Sequence, residues 1–126
     1  MNFPEKLKYT NDHEWIKVEG NKGIIGITEY AQDELGDVVF LDIDPNISEI
    51  KKGESFGTIE AVKTVSDMLA PCSGKVLELN KDLTDNPEFI NNDPYGKGWM
   101  IKIEINDPSE LNDLLDSSAY KNLIGQ

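Results

Sequence analysis

Gly57-Thr58-Ile59-Glu60-Ala61-Val62-Lys63-Thr64-Val65-Ser66-Asp67-Met68-Leu69-Ala70-Pro71-Cys72-Ser73-Gly74 is the stretch whose reading decides the fold. It consists of two short runs meeting at Lys63. Before the lysine, Phe56, Thr58, Glu60 and Val62 fall on one side of an extended chain and Ile59 and Ala61 on the other. After it, Val65, Asp67 and Leu69 alternate with Ser66 and Met68. Pro71, Ser73 and Gly74 end the second run, because proline cannot donate to a ladder and glycine admits turn geometry. The pattern predicts a hairpin with Lys63 near its tip. Ala61-Val62-Lys63-Thr64 holds no glycine, asparagine or proline, so one continuous strand stays open on pattern alone.

Upstream, Glu14, Ile16 and Val18 alternate with Trp15 and Lys17; Glu19 to Gly23 breaks the run, and Gly23 to Ile27 resumes it, predicting a second hairpin. Thr28 to Gly36 reads as a short helix: Thr28 as N-cap, Glu29 at the positive end of the dipole, Ala31 and Leu35 four apart, and Gly36 just past the end. A strand follows, with Val39, Leu41 and Ile43 against Val38, Phe40 and Asp42, ended by Asp44-Pro45-Asn46.

Downstream, Val76 to Leu79 gives another strand, and Asn80 to Gly98 is a polar connection pinned by Phe89, Ile90 and Tyr95, with one helical turn at Asn86 to Phe89. Trp99, Ile101, Ile103 and Ile105 against Met100, Lys102 and Glu104 is the clearest period-two pattern in the chain. Asp107 as N-cap, Pro108 at N1 and Glu110 at N3 predict a capping-box helix with Leu111, Leu114 and Leu115 on one face. A second helix runs from Ser117 or Ser118 to Gly125. Short strands at regular spacing with a helical tail predict a mainly β sandwich or barrel with short helices.

The chain has 126 residues and a net charge of −12, with a pI near 4.3. Such a charge repels a phosphate backbone and an anionic membrane surface, leaving basic patches on proteins as the natural partners. No apolar run is long enough to span a bilayer, and Met1 to Lys8 lacks a signal core or an arginine-rich transit pattern, so the expected location is the cytoplasm. The single cysteine, Cys72, rules out an internal disulfide and reads as a small buried apolar residue. His13 is the only histidine and has no partner for a metal site or a triad. For Lys63, Schiff-base chemistry needs an apolar pocket or a neighbouring cation. Glu60 and Asp67 lie nearby in an acidic chain instead. Lys63 therefore reads as an exposed substrate of another enzyme, against the plain alternative of a surface lysine.

Four segments carry a resemblance. Glu60-Ala61-Val62-Lys63-Thr64, with Gly57 before and Ser73-Gly74 after, resembles the lipoyl-attachment segment of the glycine cleavage H-proteins. Tyr9-Thr10-Asn11-Asp12-His13-Glu14-Trp15, Gly26 to Val39, and Asn92 to Trp99 resemble further segments of that family in the same order. The resemblance implies a barrel-sandwich hybrid, read here as a single lipoyl-carrier domain over 1–126, with a β core over about 7–106 and a helical segment over 107–126. It implies lipoic acid in amide linkage on Lys63, with Glu60 and Gly74 recognised by the modifying enzyme, a lipoate ligase or an octanoyl or lipoyl transferase. Glu14 and Asp67 match positions beside a cleft that shelters the loaded arm; solvated surface carboxylates are the alternative for each.

The implied role is carriage without catalysis, by a monomer. The arm takes an aminomethyl group from a pyridoxal-phosphate-dependent glycine decarboxylase, an aminomethyltransferase passes the carbon on to tetrahydrofolate, and dihydrolipoamide dehydrogenase reoxidises the dithiol. A relay donating lipoyl groups to other complexes is the alternative. A biotin carrier would place methionines where Val62 and Thr64 stand, and an unmodified structural domain would make the lysine dispensable. One departure is Ile47, where many family members have a glycine thought to assist modification. Asn46 is expected to supply the left-handed turn in its place.

Overall fold

The computed structural model describes residues 1–126. In chain order the elements are β1 (Lys8–Tyr9), β2 (Glu14–Glu19), β3 (Lys22–Ile27), α1 (Glu29–Leu35), β4 (Val38–Asp42), β5 (Glu49–Ile50), β6 (Ser55–Ala61), β7 (Val65–Leu69), β8 (Gly74–Leu79), α2 (Asp82–Asp85), α3 (Phe89–Asn92) and β9 (Ile101–Ile105). A 3₁₀ segment (Pro108–Asp113) and α4 (Ser117–Leu123) complete the chain.

The strands form two antiparallel sheets, β1-β2-β3-β9-β8-β5 and β4-β6-β7. Ile16 and Ile25 from β2 and β3, with Ile101, Ile103 and Ile105 from β9, meet Phe56, Ile59 and Met68 from β6 and β7 in one core between the sheets. Each large aliphatic or aromatic group withdrawn there contributes about 1.5–3 kcal/mol. Neither sheet closes on itself, and the arrangement is a barrel-sandwich hybrid of mainly β character.

Two bulges alter the alternation read from sequence. Ser55 opposes Leu69 and Gly57 opposes Met68, so Phe56 is an extra residue in β6. The bulge lets Phe56 and Ile59 both face the core, whereas strict alternation puts them on opposite sides. Val39 is likewise extra in β4, between Val38 opposite Ala61 and Phe40 opposite Glu60, and both Val39 and Phe40 are exposed.

The 80–98 connection is more ordered than a loop. Its two four-residue helices sink Leu83 and Ile90 into the core, while Phe89 packs partly buried at its edge. Tyr95 anchors as predicted, its hydroxyl donating to Asn2 O at 2.6 Å and accepting from Glu29 N–H at 3.0 Å.

The first C-terminal helix is 3₁₀, and the Glu110 capping box does not close. Asp107 caps Ser109 N–H, while Glu110 turns back to accept from Ser73 N–H at 2.8 Å and Ser73 Oγ at 3.2 Å. Leu115 is extended and bridges Tyr9. Helix α4 then brings Tyr120 onto Tyr9, rings stacked 4.8 Å apart, in a second small core with Phe3, Leu7 and Trp15.

Candidate functional site

Lys63 occupies the turn joining β6 to β7, closed by Ala61 N–H donating to Thr64 O at 3.0 Å. The turn lacks turn-forming residues because its conformation is imposed from outside. Val62 N–H donates to Asp37 O at 3.0 Å and Lys63 N–H to Leu35 O at 3.2 Å. The hairpin tip is therefore bonded down onto the chain leaving α1.

That segment is shaped for contact. Gly36 has φ +78°, and a Cβ there would stand 2.9 Å from Val62 Cγ2 and 3.3 Å from Lys63 Cγ. Both its backbone angle and the close approach require glycine. Asn91 on α3 braces it: its side-chain amide donates to Gly36 O and Gln32 Oε1, both at 2.9 Å, and its Oδ1 accepts from Val38 N–H at 2.8 Å. Asn91 was missed at the sequence level, since Asn91-Asn92-Asp93 reads only as polar loop and nothing one-dimensional shows a residue that braces 36–38 across the fold.

The Lys63 side chain is exposed and lies along Gly36, with Nζ 3.5 Å from Asp33 O. It belongs to none of the ion pairs, which join Lys17 to Glu19, Lys52 to Asp113 and Lys102 to Glu78. It offers an accessible primary amine on a backbone bonded to the 35–37 segment.

Glu60 points outward from β6 in a cross-strand row with Phe40 and Val65. Asp67 stands on the same outer face, opposite Thr58, and is exposed. Glu14 lies at the far end of β7 and is 2% exposed. Its carboxyl accepts from Thr10 Oγ1 at 2.7 Å and from Leu69 N–H, on the free edge of β7, at 3.3 Å. Burial raises its pKa from the ordinary 4.5 to about 8, against those two hydrogen bonds, so the carboxyl is largely protonated at neutral pH. It lines a cavity of about 180 Å³ with Thr10, Asp12, Lys52, Leu69 and Leu114. Asp67 does not line this cavity, so the two carboxylates do not share it.

Gly74 opens β8 in the six-stranded sheet, away from the hairpin; a Cβ there would stand 2.6 Å from Glu104 O and 2.7 Å from Ile103 Cδ1. Packing alone requires this glycine. Ile47 packs partly buried against the core. His13, at φ +71°, is the only non-glycine residue with positive φ. Asn46 is therefore not left-handed; its N–H donates to Asp44 Oδ1 at 2.9 Å in a side-chain-closed turn that needs no glycine. A larger cavity of about 670 Å³, lined by Leu41, Ile47, Val76 and Leu83 with Glu78, Lys81 and Asp82 among others, opens between β4, β8 and α2, away from Lys63.

His13 serves structure: its Nδ1 lies 2.9 Å from the Tyr120 hydroxyl, which also meets Thr28 Oγ1 at 2.8 Å. Burial lowers the His13 pKa. Cys72 is fully buried, and burial pushes its thiol up to about 11, which leaves it inert.

Comparison with known proteins agrees with this geometry. A family model described as Glycine cleavage H-protein matches residues 7–126. Proteins named Glycine cleavage system H protein are 54% identical in Staphylococcus carnosus over 126 residues, covering 100% of both chains, and 56% identical in Bacteroides thetaiotaomicron over 125 residues, covering 98% of each. A crystal structure of a glycine cleavage system H protein from Mycobacterium marinum superposes with a TM-score of 0.86 at 36% identity, covering 98% of this chain and 100% of that one. With matches of this extent in sequence and in structure, the chain belongs to the glycine cleavage H-protein family.

Proposed function

We propose that Lys63 is the residue that carries lipoate in amide linkage and that the chain is a non-catalytic carrier. It would serve glycine decarboxylase, aminomethyltransferase and dihydrolipoamide dehydrogenase in turn. The observation that carries this reading is the exposed, ion-pair-free Lys63 amine on a hairpin tip bonded to Leu35 O and Asp37 O. The residues present fit the group: the amine is open to a modifying enzyme, and β7 leads from the tip along a free edge to the Glu14 cavity. When bound, the dithiolane supplies aminomethyl carriage and two-electron redox chemistry.

The chain's own part is to position and shelter. From Lys63 to Leu69 the edge runs about 20 Å at ~3.3 Å per residue, with Asp67 along the way. An alkylammonium ion entering the cavity favours the ionised form of Glu14, so arrival of a positive charge and loss of the Glu14 proton are linked. Thr10 and Leu69 N–H then hold the resulting carboxylate. Glu60, three residues before the lysine on the same exposed hairpin, is suited to recognition by the modifying enzyme, whereas Gly74 would act there only by keeping β8 in place.

Intact mass and peptide mapping of the protein from its native cell test the reading. A lipoyl-sized addition on the Lys63 peptide is expected, with Lys63→Arg abolishing it while the melting curve stays unchanged. A biotin-sized addition, or a bare Lys63 after incubation with lipoate and a competent ligase, overturns it.

A further inference from the structure

His13 holds a left-handed backbone, φ +71°, that is unfavourable for a residue with a Cβ, so its surroundings must keep it there. Its N–H donates to Thr10 O at 3.2 Å and its carbonyl accepts from Thr28 N–H at 3.0 Å. Its ring lies 5.0 Å from that of Tyr30 on α1 and 5.8 Å, edge-on, from that of Tyr120 on α4. The polar contact of the ring is Nδ1 with the Tyr120 hydroxyl, at 2.9 Å. Tyr120 is fully buried, and the same hydroxyl meets Thr28 Oγ1 at 2.8 Å. Thr28 Oγ1 already accepts from Ala31 N–H as the cap of α1. Both hydroxyl protons therefore find acceptors only when Thr28 donates to Tyr120 and Tyr120 donates to His13 Nδ1. That direction leaves the ring proton on Nε2 and the imidazole neutral, in keeping with its burial.

Two parts of the site leave from this junction. Glu14 follows His13 directly, its N–H on Thr10 Oγ1 at 3.0 Å and its carboxyl at the cavity. Helix α1 rises from Thr28 and, about 10 Å further on at ~1.5 Å per residue, offers Leu35 O to Lys63 N–H.

We infer that Tyr120 is a positioning residue for the carrier site: through His13 it sets Glu14 at its cavity, and through Thr28 it fixes the foot of the helix that holds the Lys63 tip. The C-terminal helix is then part of the working site as well as a cover for the sheet. The inference rests on the reading that Lys63 carries the arm and that the arm reaches the Glu14 cavity. Without the hydroxyl, His13 Nδ1 and the Thr28 hydroxyl proton both lose their partner in a buried place. The His13 ring then turns toward water, its backbone relaxes out of the left-handed region, and Glu14 moves with it toward solvent. At the other contact, Thr28 holds the start of α1 by its backbone bonds alone, so the far end of α1 grips Lys63 less firmly.

The test is a side-chain carboxyl ¹³C NMR titration of the full-length protein, with the Glu14 signal assigned by its loss in Glu14→Gln. Tyr120→Phe keeps the ring stacked on Tyr9 and removes the hydroxyl alone. Burial holds Glu14 at about 8 in the native chain. In Tyr120→Phe and in His13→Ala it is expected to titrate about one pH unit lower or more, a tenfold change in its ionisation constant. In Tyr120→Phe the Val62 and Lys63 amides are expected to exchange about tenfold faster, with the β9 amides within about twofold of wild type. Asparagine tolerates the left-handed region and keeps an acceptor for the Tyr120 hydroxyl, so His13→Asn is expected to restore the wild-type titration. Ser117→Ala removes another buried hydroxyl of α4, which donates to Phe3 O at 2.7 Å, and is expected to leave Glu14 where it was. Asp12, Lys52 and Asp113 around the cavity and Glu34 near the His13 ring are retained in every variant. A wild-type Glu14 titration in Tyr120→Phe and His13→Ala overturns the inference. So does an equal shift in Ser117→Ala, a failure of His13→Asn to restore the titration, or tip amides that exchange no faster than those of β9. Wild-type protein that gains no mass at Lys63 on incubation with a lipoate-protein ligase, lipoate and ATP overturns the carrier reading instead, a distinct result.

Discussion

Glu14 shows what a single side chain gains from its surroundings. The sequence offers an acidic residue between His13 and Trp15 and nothing more. The fold buries it and gives it Thr10 and Leu69 N–H as partners. With its pKa raised from 4.5 to about 8, the native state keeps a proton that the unfolded chain releases. Stability from this group is therefore fully present below pH 4.5 and falls as pH rises toward 8, by up to about 1.4 kcal/mol per pH unit. Glu14→Gln keeps an acceptor for Leu69 N–H and has nothing to titrate. Thermal melts from pH 5 to 8 should show the variant losing that slope and melting several degrees above wild type at pH 8. Parallel curves would contradict the buried neutral carboxyl. Gly74 and Ile47 have reasons in the fold itself: a Cβ at the glycine would stand 2.6 Å from Glu104 O, and the isoleucine packs partly buried on the core.

At the scale of elements, strands and α1 were legible because their periodicity and caps are local. Thr28 accepts from Ala31 N–H and Gly36 takes φ +78°, as their types predict. The Lys63 turn is ambiguous in sequence because its hydrogen bonds go to Leu35 at the end of α1 and to Asp37 just beyond it, far away along the chain. The two bulges were invisible because one extra residue leaves no mark on composition. Asn91 joins these pieces, bonding Val38 N–H, Gly36 O and Gln32 at once. Asn91→Ala should leave a partly buried amide and carbonyl unpaired and cost about 1–3 kcal/mol. Hydrogen exchange should show the Val62 and Lys63 amides exchanging faster in that variant, ahead of the β9 amides. Unchanged protection at the tip would mean that α1 alone holds the hairpin.

Across the whole molecule, the two-sheet architecture follows from many short strands that each bury one face, and the charge of −12 spreads over it. Encounters with partners carrying basic patches should be steered electrostatically. On the proposed carrier role, the kcat/KM for reduction of the lipoylated protein by NADH and dihydrolipoamide dehydrogenase, run in reverse, should fall about tenfold between low salt and roughly 0.5 M salt, while free lipoamide shows little change. Equal salt dependence for both would remove steering from the account. The bonds from Val62 and Lys63 to the end of α1 have a further consequence, in the volume that a tethered group can search. A hairpin free to pivot would sweep its cargo over both sides of the sheet edge. With its root fixed, a group carried on Lys63 would search a smaller volume around the tip, and the smaller that volume, the higher its effective concentration at any enzyme docked there.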